Sequence, residues 1–509
     1  MRYLVTGKEM KLLDQNTSSH YKIPELVLME QAAMHFVWEL CTVLSSQSPR
    51  KGIVFCGLGN NGADGIAIAR LLIERGIPTH ICKIKDFLNE KSQASASFQV
   101  QESIYDAYKY PVIGSLDEIQ NENYDFVIDA VFGIGLSRNL NDEYIALLDK
   151  INYLNGIKIA VDMPSGINSD NGQIMGNAVK CDYTITFSFE KMGQYLWPGC
   201  EYAGKTYVVD MGITQKSWLD KKPNYAYLED KDLSKLPKRV DHSNKGIYGK
   251  LLVIAGSKEM AGAAIFCAKA AYRSGVGLVK VFTHEDNRTI IQAAVPESIV
   301  ATYGNKLNKE ELIEHLKWAD ALVVGPGLGQ SSIAKDIVKL VHRTVSVPVV
   351  WDADALNIFA QDINQLLLPH TEYIVTPHIG EFSRLTENTV NWIQNHLIES
   401  AIDFARTYDL ICVLKDFHTF TAVPFGLSYL NLTGNNGMAT AGSGDVLAGI
   451  IGALLAQGVR GDNAASIGVY LHGLAGDKAK GKNSAHALIA SDIIEALQEV
   501  WKGTENAEY

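Results

Sequence analysis

Residues 435–447, Asn435-Asn436-Gly437-Met438-Ala439-Thr440-Ala441-Gly442-Ser443-Gly444-Asp445-Val446-Leu447, join a glycine-rich loop to an apolar segment. That segment, 446–456, reads as a buried helix. A helix start presents unpaired backbone N–H groups and a partial positive charge. Glycines there let an anion approach the backbone closely. Ala441 to Gly444 therefore reads as a phosphate cradle. Asp445 then stands where phosphate meets an acceptor, the place of a general base for a hydroxyl. The plainer role for Asp445 is a helix cap. The length of the glycine- and alanine-rich run favours the cradle.

A second set of polar residues lies near the start of the chain. Gly57-Leu58-Gly59-Asn60-Asn61-Gly62-Ala63-Asp64-Gly65 follows an apolar run, 53–56. Phe126-Val127-Ile128-Asp129 leads into Phe132-Gly133-Ile134-Gly135-Leu136-Ser137, and 157–161 leads into Asp162-Met163-Pro164-Ser165-Gly166. The displaced third glycine weakens any dinucleotide fingerprint. Asn60 and Asn61 can donate to phosphate or ribose and accept from hydroxyls or a cation. Asn61, Asp129 and Ser165 offer only hard oxygen ligands, a set suited to a hard cation rather than zinc or copper. Asp129 can equally cap a loop, and Asp162 can serve the turn at Pro164-Ser165-Gly166. A carboxylate at a strand end facing a nucleotide can instead move a proton.

These residues need a scaffold, and the pattern supplies an α/β one. Thr6 with Glu9 forms a capping box that starts a helix near Gly7, and Pro24 opens a second helix. Strand 53–56, helix 66–74 with its stop at Gly76, and strand 79–84 form a βαβ unit of the doubly wound kind. Between about 214 and 244, Lys, Asp, Pro and Ser dominate and the apolar period lapses, which marks a linker. The α/β pattern restarts at 251–255 and continues through helix 261–274. Its later strands lead into Gly325-Pro326-Gly327-Leu328-Gly329, Asp352-Ala353-Asp354, Thr376-Pro377-His378 and Lys415. The expected domains are 1–215 and 225–509, with one site in each.

Composition bounds the partners. The 509 residues are 47% apolar and 20% charged, an ordinary globular balance. A net charge of −11 argues against nucleic acid or an anionic membrane as the main partner. It leaves room for a nucleotide held by a local N–H cradle. The cysteines, at 41, 56, 82, 181, 200, 267 and 412, form no C-x-x-C pair and fit reduced thiols. With neither a signal-peptide core nor a membrane-length apolar run, the expectation is a cytoplasmic enzyme.

The N-terminal motifs, Asn60-Asn61-Gly62-Ala63-Asp64-Gly65, Asp129-Ala130-Val131-Phe132-Gly133-Ile134-Gly135 and Asp162-Met163-Pro164-Ser165-Gly166, resemble the NAD(P)H-hydrate epimerase family. The resemblance implies a Rossmann-like fold. It also implies interconversion of the R and S forms of NAD(P)H whose nicotinamide ring has added water at C6. By that likeness Asn60, Asn61, Gly62, Ala63 and Asp64 contact the hydrate. So do Gly133, Ile134, Gly135, Leu136, Ser137, Arg138 and Asn139, with Asp162 as acid/base. Asn61, Asp129 and Ser165 then hold potassium. Ala63 departs from the family's more usual glycine.

The C-terminal half is similar to the ADP-dependent NAD(P)H-hydrate dehydratases, which have a ribokinase-like fold. The likeness rests on Ala261-Gly262-Ala263-Ala264, on Arg273-Ser274-Gly275-Val276-Gly277-Leu278 and on Gly325-Pro326-Gly327-Leu328-Gly329. It rests also on Thr376-Pro377-His378-Ile379-Gly380-Glu381 and on 434–445. It implies hydrate contacts at Ala263, Gly327, His378 and Asp445. It implies ADP contacts at Lys415, Asp416, Phe417, His418 and Thr419. Further ADP contacts are implied at Asn436, Gly437, Met438, Ala439, Thr440, Ala441, Gly442, Ser443 and Gly444. Asp416 stands where the family usually has glycine. His378 read alone is a loop histidine bonded to backbone, and Glu381 an N-cap partner. Asp352 and Asp354 either assist a magnesium ion or cap structure. The fused order resembles the bifunctional NAD(P)H-hydrate repair family. Small-molecule partners (hydrated NADH and NADPH, ADP) and a homo-oligomer are then expected. The competing readings are a ribokinase-like small-molecule kinase and a non-catalytic nucleotide-binding N-terminal module.

Overall fold

Alternation along the strands sorts side chains onto two buried faces, and this builds three layers in the N-terminal half. The strands there are β1 (Arg2–Val5), β2 (Gly52–Cys56), β3 (Thr79–Lys83), β4 (Phe126–Ala130), β5 (Ile157–Val161), β6 (Tyr183–Phe187), β7 (Glu190–Lys191) and β8 (Lys205–Val209). The helices that matter to the site are α1 (Gly7–Ser19), α2 (Glu25–Val43) and α3 (Asn60–Glu74). A parallel sheet runs in the order β3-β2-β4-β5-β6-β8. Val54, Ile128, Ile159 and Ile185 enter one core with α2 and α3. Ile53, Phe55, Val127 and Ala160 enter another with Leu147, Leu148 and Ile151 of the helix Asp142–Tyr153. Strands buried on both faces read as continuous apolar runs. The unit is Rossmann-like.

The computed structural model describes residues 1–44, 51–88, 93–114, 119, 123–368 and 371–506. It divides into two units, Tyr3–Asn224 and Tyr225–Tyr509 with Met1–Arg2. The second unit contains β9 (Tyr225–Tyr227), β10 (Lys250–Ile254), β11 (Leu278–His284), β12 (Ile299–Tyr303) and β13 (Ala321–Val324). It continues with β14 (Val349–Trp351), β15 (Tyr373–Val375), β16 (Ile411–Leu414), β17 (Phe420–Ala422) and β18 (Ser428–Leu430). They line up as β12-β11-β10-β13-β14-β15-β16-β17-β18-β9, parallel from β12 to β16 and antiparallel at β16-β17-β18. The helix Ser443–Ala456 is almost wholly buried against this sheet and the helix Ala261–Arg273. In each sheet the chain reverses its direction of growth once, between β2 and β4 and between β10 and β13. Such switch points open a crevice at the carboxyl ends of the strands. Among the described residues no helix is long and apolar enough to cross a membrane.

Several expected boundaries move. α1 starts on its capping box, with Glu9 N–H donating to Thr6 Oγ1 at 3.2 Å and Thr6 N–H to Glu9 Oε2 at 2.8 Å. α3, however, begins at Asn60 rather than 66, so the Asn-Asn pair lies in its first turn. Gly62 permits this, because a Cβ there would collide with the Gly57 carbonyl. The C-terminal cradle helix likewise begins at Ser443 rather than 446, with Gly442 as N-cap at φ +89°. The stretch read as a linker carries β9 and two 3-10 turns, and buries Trp218 and Leu233. Its apolar residues are too widely spaced to show a period.

The cradle helix is held close to the helix Ala261–Arg273 by glycine. A Cβ at Gly449 would overlap the backbone carbonyl of Cys267. Gly449→Val should therefore lower the stability of this unit by about 1–3 kcal/mol, the usual cost of overpacking. Denaturant melting of the full chain reads it as a lower midpoint at unchanged m-value.

Candidate active sites

In the first unit the loops after β2, β4 and β5 and one face of α1 enclose a cavity of ≈ 830 Å³. Asn60, Asn61, Asp64, Asp162 and the run Gly133, Ile134, Gly135, Leu136, Ser137 and Arg138 all line it. Gly62, Ala63 and Asn139 do not. Gly62 and Ala63 face the core behind α3, and Asn139 is exposed.

Asp162 sits just past β5 with φ +67°, a strained conformation for a non-glycine residue. Its Oδ1 accepts from Thr186 Oγ1 (2.9 Å), from Phe187 N–H (3.1 Å) and from the Lys191 ammonium. No donor among the described residues ends on Oδ2. Lys191 is 0% exposed and also donates to Thr186 Oγ1 and the Phe187 carbonyl. Pairing of β7 with β1, Val5 opposite Lys191, sets its position. Asp162 is therefore a strand-end carboxylate neutralised on one oxygen and open on the other, which is more than a turn residue needs.

Three further carboxylates line the same cavity: Asp14, Glu25 and Asp64. Burial pushes Asp14 up to about 7, with Lys191 opposing and Asp162 and Glu25 adding to the rise. Burial likewise drives Asp64 well above the usual range, helped by Asp162 and Asp14.

Asp129 and Ser165 meet directly. Ser165 N–H and Oγ donate to the two Asp129 oxygens at 2.7 and 2.5 Å, and Phe132 N–H donates to Ser165 Oγ at 2.8 Å. The Asn61 amide lies beside Gly133, whose added Cβ would be 3.1 Å from Asn61 Oδ1. Among the described residues the buried Asn61 amide nitrogen has no hydrogen-bond partner. Asp129 is fully buried, has no ion pair among the described residues, and is pushed by burial up to about 6. An uncompensated carboxylate among neutral oxygens fits a monovalent cation.

In the second unit the candidates gather at the carboxyl ends of neighbouring strands. The loop after β13 passes so close to the Ala261–Arg273 helix that a Cβ at Gly327 would lie 2.9 Å from Ala263 Cβ. After β14, Asp352 Oδ1 accepts from Thr376 Oγ1 (2.7 Å) and from Lys415 Nζ (3.1 Å). Asp354 Oδ2 accepts from Gly329 N–H at 2.8 Å, a structural cap. Past β16, Lys415 N–H donates to the Pro377 carbonyl at 2.8 Å. Its ammonium lies 3.3 Å from where Gly444 would carry a Cβ. Lys415 thus stands over the first turn of the cradle helix. Burial works against its charge, but Asp352 and Glu381 outweigh burial and hold the ammonium above its ordinary range.

Asp445 lies in that first turn and makes no capping bond, so the cap role is overturned. Burial, then Asp352, push its carboxyl up to about 7, with Lys415 pulling the other way. His378, by contrast, does what an isolated loop histidine does. Its Nδ1 accepts from Gly380 and Glu381 N–H, at 3.0 and 3.3 Å, and its side chain is 55% exposed. Glu381 returns a bond to His378 N–H at 2.9 Å. Asp416 is half-buried and raised by burial, while Phe417 is exposed. Asn436 to Met438 form a 3-10 turn. Among the described residues no three His, Cys, Asp or Glu side chains converge to hold a metal.

Several contributors escaped the sequence reading. Asp477 Oδ2 accepts from Gly434 N–H and its Oδ1 from Asn435 Nδ2, both at 2.9 Å, which pins the glycine loop. His472 Nε2 lies 3.3 Å from Ser443 Oγ, and burial, then Lys415, lower it to about 4. Lys191 lies in the two-residue strand β7, with no spacing to mark it. Asp14 left a faint signal, a carboxylate four residues from Met10 on a capped helix.

A family model described as NAD(P)H-hydrate dehydratase matches residues 251–499, and one described as the YjeF-related protein N-terminus matches 25–193. The bifunctional NAD(P)H-hydrate repair enzyme Nnr of Moorella thermoacetica is 35% identical over 517 residues, 99% of this chain and 97% of that protein. The Escherichia coli enzyme of the same name is 33% identical over 89% of this chain and 85% of that one. A crystal structure of a ribokinase-like superfamily protein from Enterococcus faecalis matches with TM-score 0.50 and 29% identity, covering 55% of this chain and 96% of that one. The second unit therefore has a ribokinase-like fold, and the chain belongs to the family of bifunctional NAD(P)H-hydrate repair enzymes.

Proposed function

We propose that residues 1–215 epimerise the R and S forms of hydrated NAD(P)H, and that residues 225–509 dehydrate the S form to NAD(P)H at the expense of ADP. The observation that carries the second half is the first turn of the cradle helix. There Asp445 is held beside helix-start N–H groups and the Lys415 ammonium. Nucleotide phosphates bind along Asn436–Gly444 and at Lys415, and the hydrate lies by Ala263 and Gly327. Asp445 takes the proton of the ring C6 hydroxyl as its oxygen attacks the terminal phosphorus of ADP, and the bond from that phosphorus to the bridging oxygen breaks with its electron pair leaving on AMP. The N–H groups from Ala441 to Gly444 and Lys415 hold the charge that develops on the transferring group. Phosphate then departs with the C6–O electron pair, pushed by the ring nitrogen, and a proton lost from the neighbouring carbon restores the ring. Phosphate leaves far more readily than hydroxide, which is why a dehydration consumes a nucleotide. Among the described residues no three acidic, histidine or cysteine side chains converge into a cage for magnesium. In the first unit Asn61, Asp129 and Ser165 hold potassium, which places a positive charge against Asp129 and fixes the loop that carries Gly133.

Hydrated NADH offered with ADP should regain the absorbance of the reduced nicotinamide. Phosphorylation of a stable alcohol without that recovery would instead favour a kinase. Asp445→Asn should lower kcat about 10²–10⁴-fold with little change in nucleotide KM. Asp445 must be ionised to act, so the rate should climb with pH and level off above about 7. Removing the like charge in Asp352→Asn should move that shoulder to lower pH.

Asp162→Ala should slow equilibration of the two epimers by a similar factor, and an unchanged rate would leave the first site without its acid/base. Potassium binding should raise the melting midpoint in potassium chloride over tetramethylammonium chloride, the underlying gain in stability being about 2.7 kcal/mol at a hundred times the Kd. Asp129→Asn should abolish that difference.

A further inference from the structure

We propose that Asp14 is the second acid–base group of the epimerisation site, working on the ring hydroxyl from α1 while Asp162 works from the sheet. This rests on the epimerase reading given above. Met10, Lys11, Asp14, Gln15 and Ser18 share one face of α1 by helical spacing, and all five line the cavity. No hydrogen bond among the described residues ends on the Asp14 carboxyl. It therefore meets the cavity with both oxygens available. Asp162 meets the same cavity with Oδ2 alone, because Oδ1 is taken by Thr186, Phe187 and Lys191. The two carboxyls differ in their surroundings. Asp162 faces the Lys191 ammonium directly. Asp14 is half-buried and forms no ion pair with it among the described residues, with Glu25 of α2, Asp64 of α3 and Asp162 as acidic neighbours and Lys11 on its own helix. Burial holds Asp14 up to about 7, so near neutrality a large share of it carries a proton. A carboxyl held up by burial that shares a cavity with one paired to an ammonium is the pattern of an acid working with a base.

The chemistry of a C6 hydroxyl beside the ring nitrogen needs such a pair. Asp14 gives its proton to the hydroxyl oxygen, and the C6–O bond breaks with its electron pair leaving as water. The N1 lone pair forms an N1=C6 double bond. A water molecule adds to C6 from the opposite face, its lone pair making the new C6–O bond while the double-bond pair returns to N1. Its proton goes to Asp162 Oδ2. The product is the other epimer, with Asp14 ionised and Asp162 protonated. That form of the enzyme carries the conversion in the opposite direction.

The full chain, given one epimer of hydrated NADH in ¹⁸O-enriched water without ADP, tests this by chromatography and mass spectrometry. Asp14→Asn should slow epimerisation about 10²–10⁴-fold, with KM changed by less than about threefold. Asp14→Glu should restore part of the loss. The unaltered enzyme should lose rate as pH rises through about 7, and the residual rate of Asp14→Asn should lack that decline. Solvent oxygen should appear at C6 in the inverted product. A rate within about threefold of the unaltered enzyme in Asp14→Asn overturns the role of Asp14. If that variant does not fold, Asp14→Glu with an unaltered rate and no fall above neutrality overturns it equally. Retention of the original oxygen overturns the elimination and addition. If the unaltered chain does not equilibrate the epimers, the epimerase reading itself fails, and Asp14 with it.

Discussion

A lysine paired with a buried strand-end carboxylate is the interaction on which each site depends. Lys191 meets Asp162 in the first unit and Lys415 meets Asp352 in the second. Burying two charges costs several kcal/mol per ion, and only good geometry with further hydrogen bonds offsets it. Both pairs have that support. Lys191 has Thr186 and the Phe187 carbonyl, and Asp352 has Thr376. Each lysine neutralises one carboxylate while others stand close by. The surplus ones, Asp14 and Asp64 in the first unit, Asp445 and Glu381 in the second, are all driven upward by burial. Carboxyl groups held above their ordinary range thus arise as the remainder of an incomplete neutralisation.

Topology decides where this can happen. Parallel strands end together, so residues far apart in sequence arrive side by side. Asp129 and Ser165 are bonded across two neighbouring strand ends, and Lys415 reaches both Asp352 and the Gly444 turn. Glycine makes room at the points of closest approach. At φ +122° Gly325 turns the chain directly over the Asp352 carbonyl, where a Cβ would collide. Gly442, at φ +89°, lets the cradle helix start at Ser443, against the Phe266 ring.

What could be read from sequence was local. The cradle was legible because loop, glycines and apolar helix are contiguous, and α1 because Thr6 and Glu9 are three residues apart. Helix starts were misjudged at Asn60 and Ser443, since glycine and asparagine argue for a loop until packing against Gly57 or Phe266 is known. Lys191 was invisible because its meaning comes from Asp162, in another loop, and from a two-residue strand fixed by β1. His378 shows the reverse. Its motif was plain, yet its ring nitrogen Nδ1 is spent on its own helix start and Nε2 lies 3.5 Å from Glu381 Oε1.

The two sites draw on the same cause in opposite senses. In the proposed roles Asp445 acts ionised while Asp14 gives its proton in one direction and takes it back in the other, and burial holds both near neutrality. On those proposed roles, rising pH favours the base of the second unit and depletes the acid form of Asp14 in the first. Bound nucleotide sharpens this on one side alone. Phosphate charge beside Asp445 raises its carboxyl further, unless the helix-start N–H groups and Lys415 offset that charge. Lys415 is already engaged by Asp352, so it can answer phosphate only by sharing its ammonium between the two. Its place over the Gly444 turn, within reach of both, is what such sharing requires.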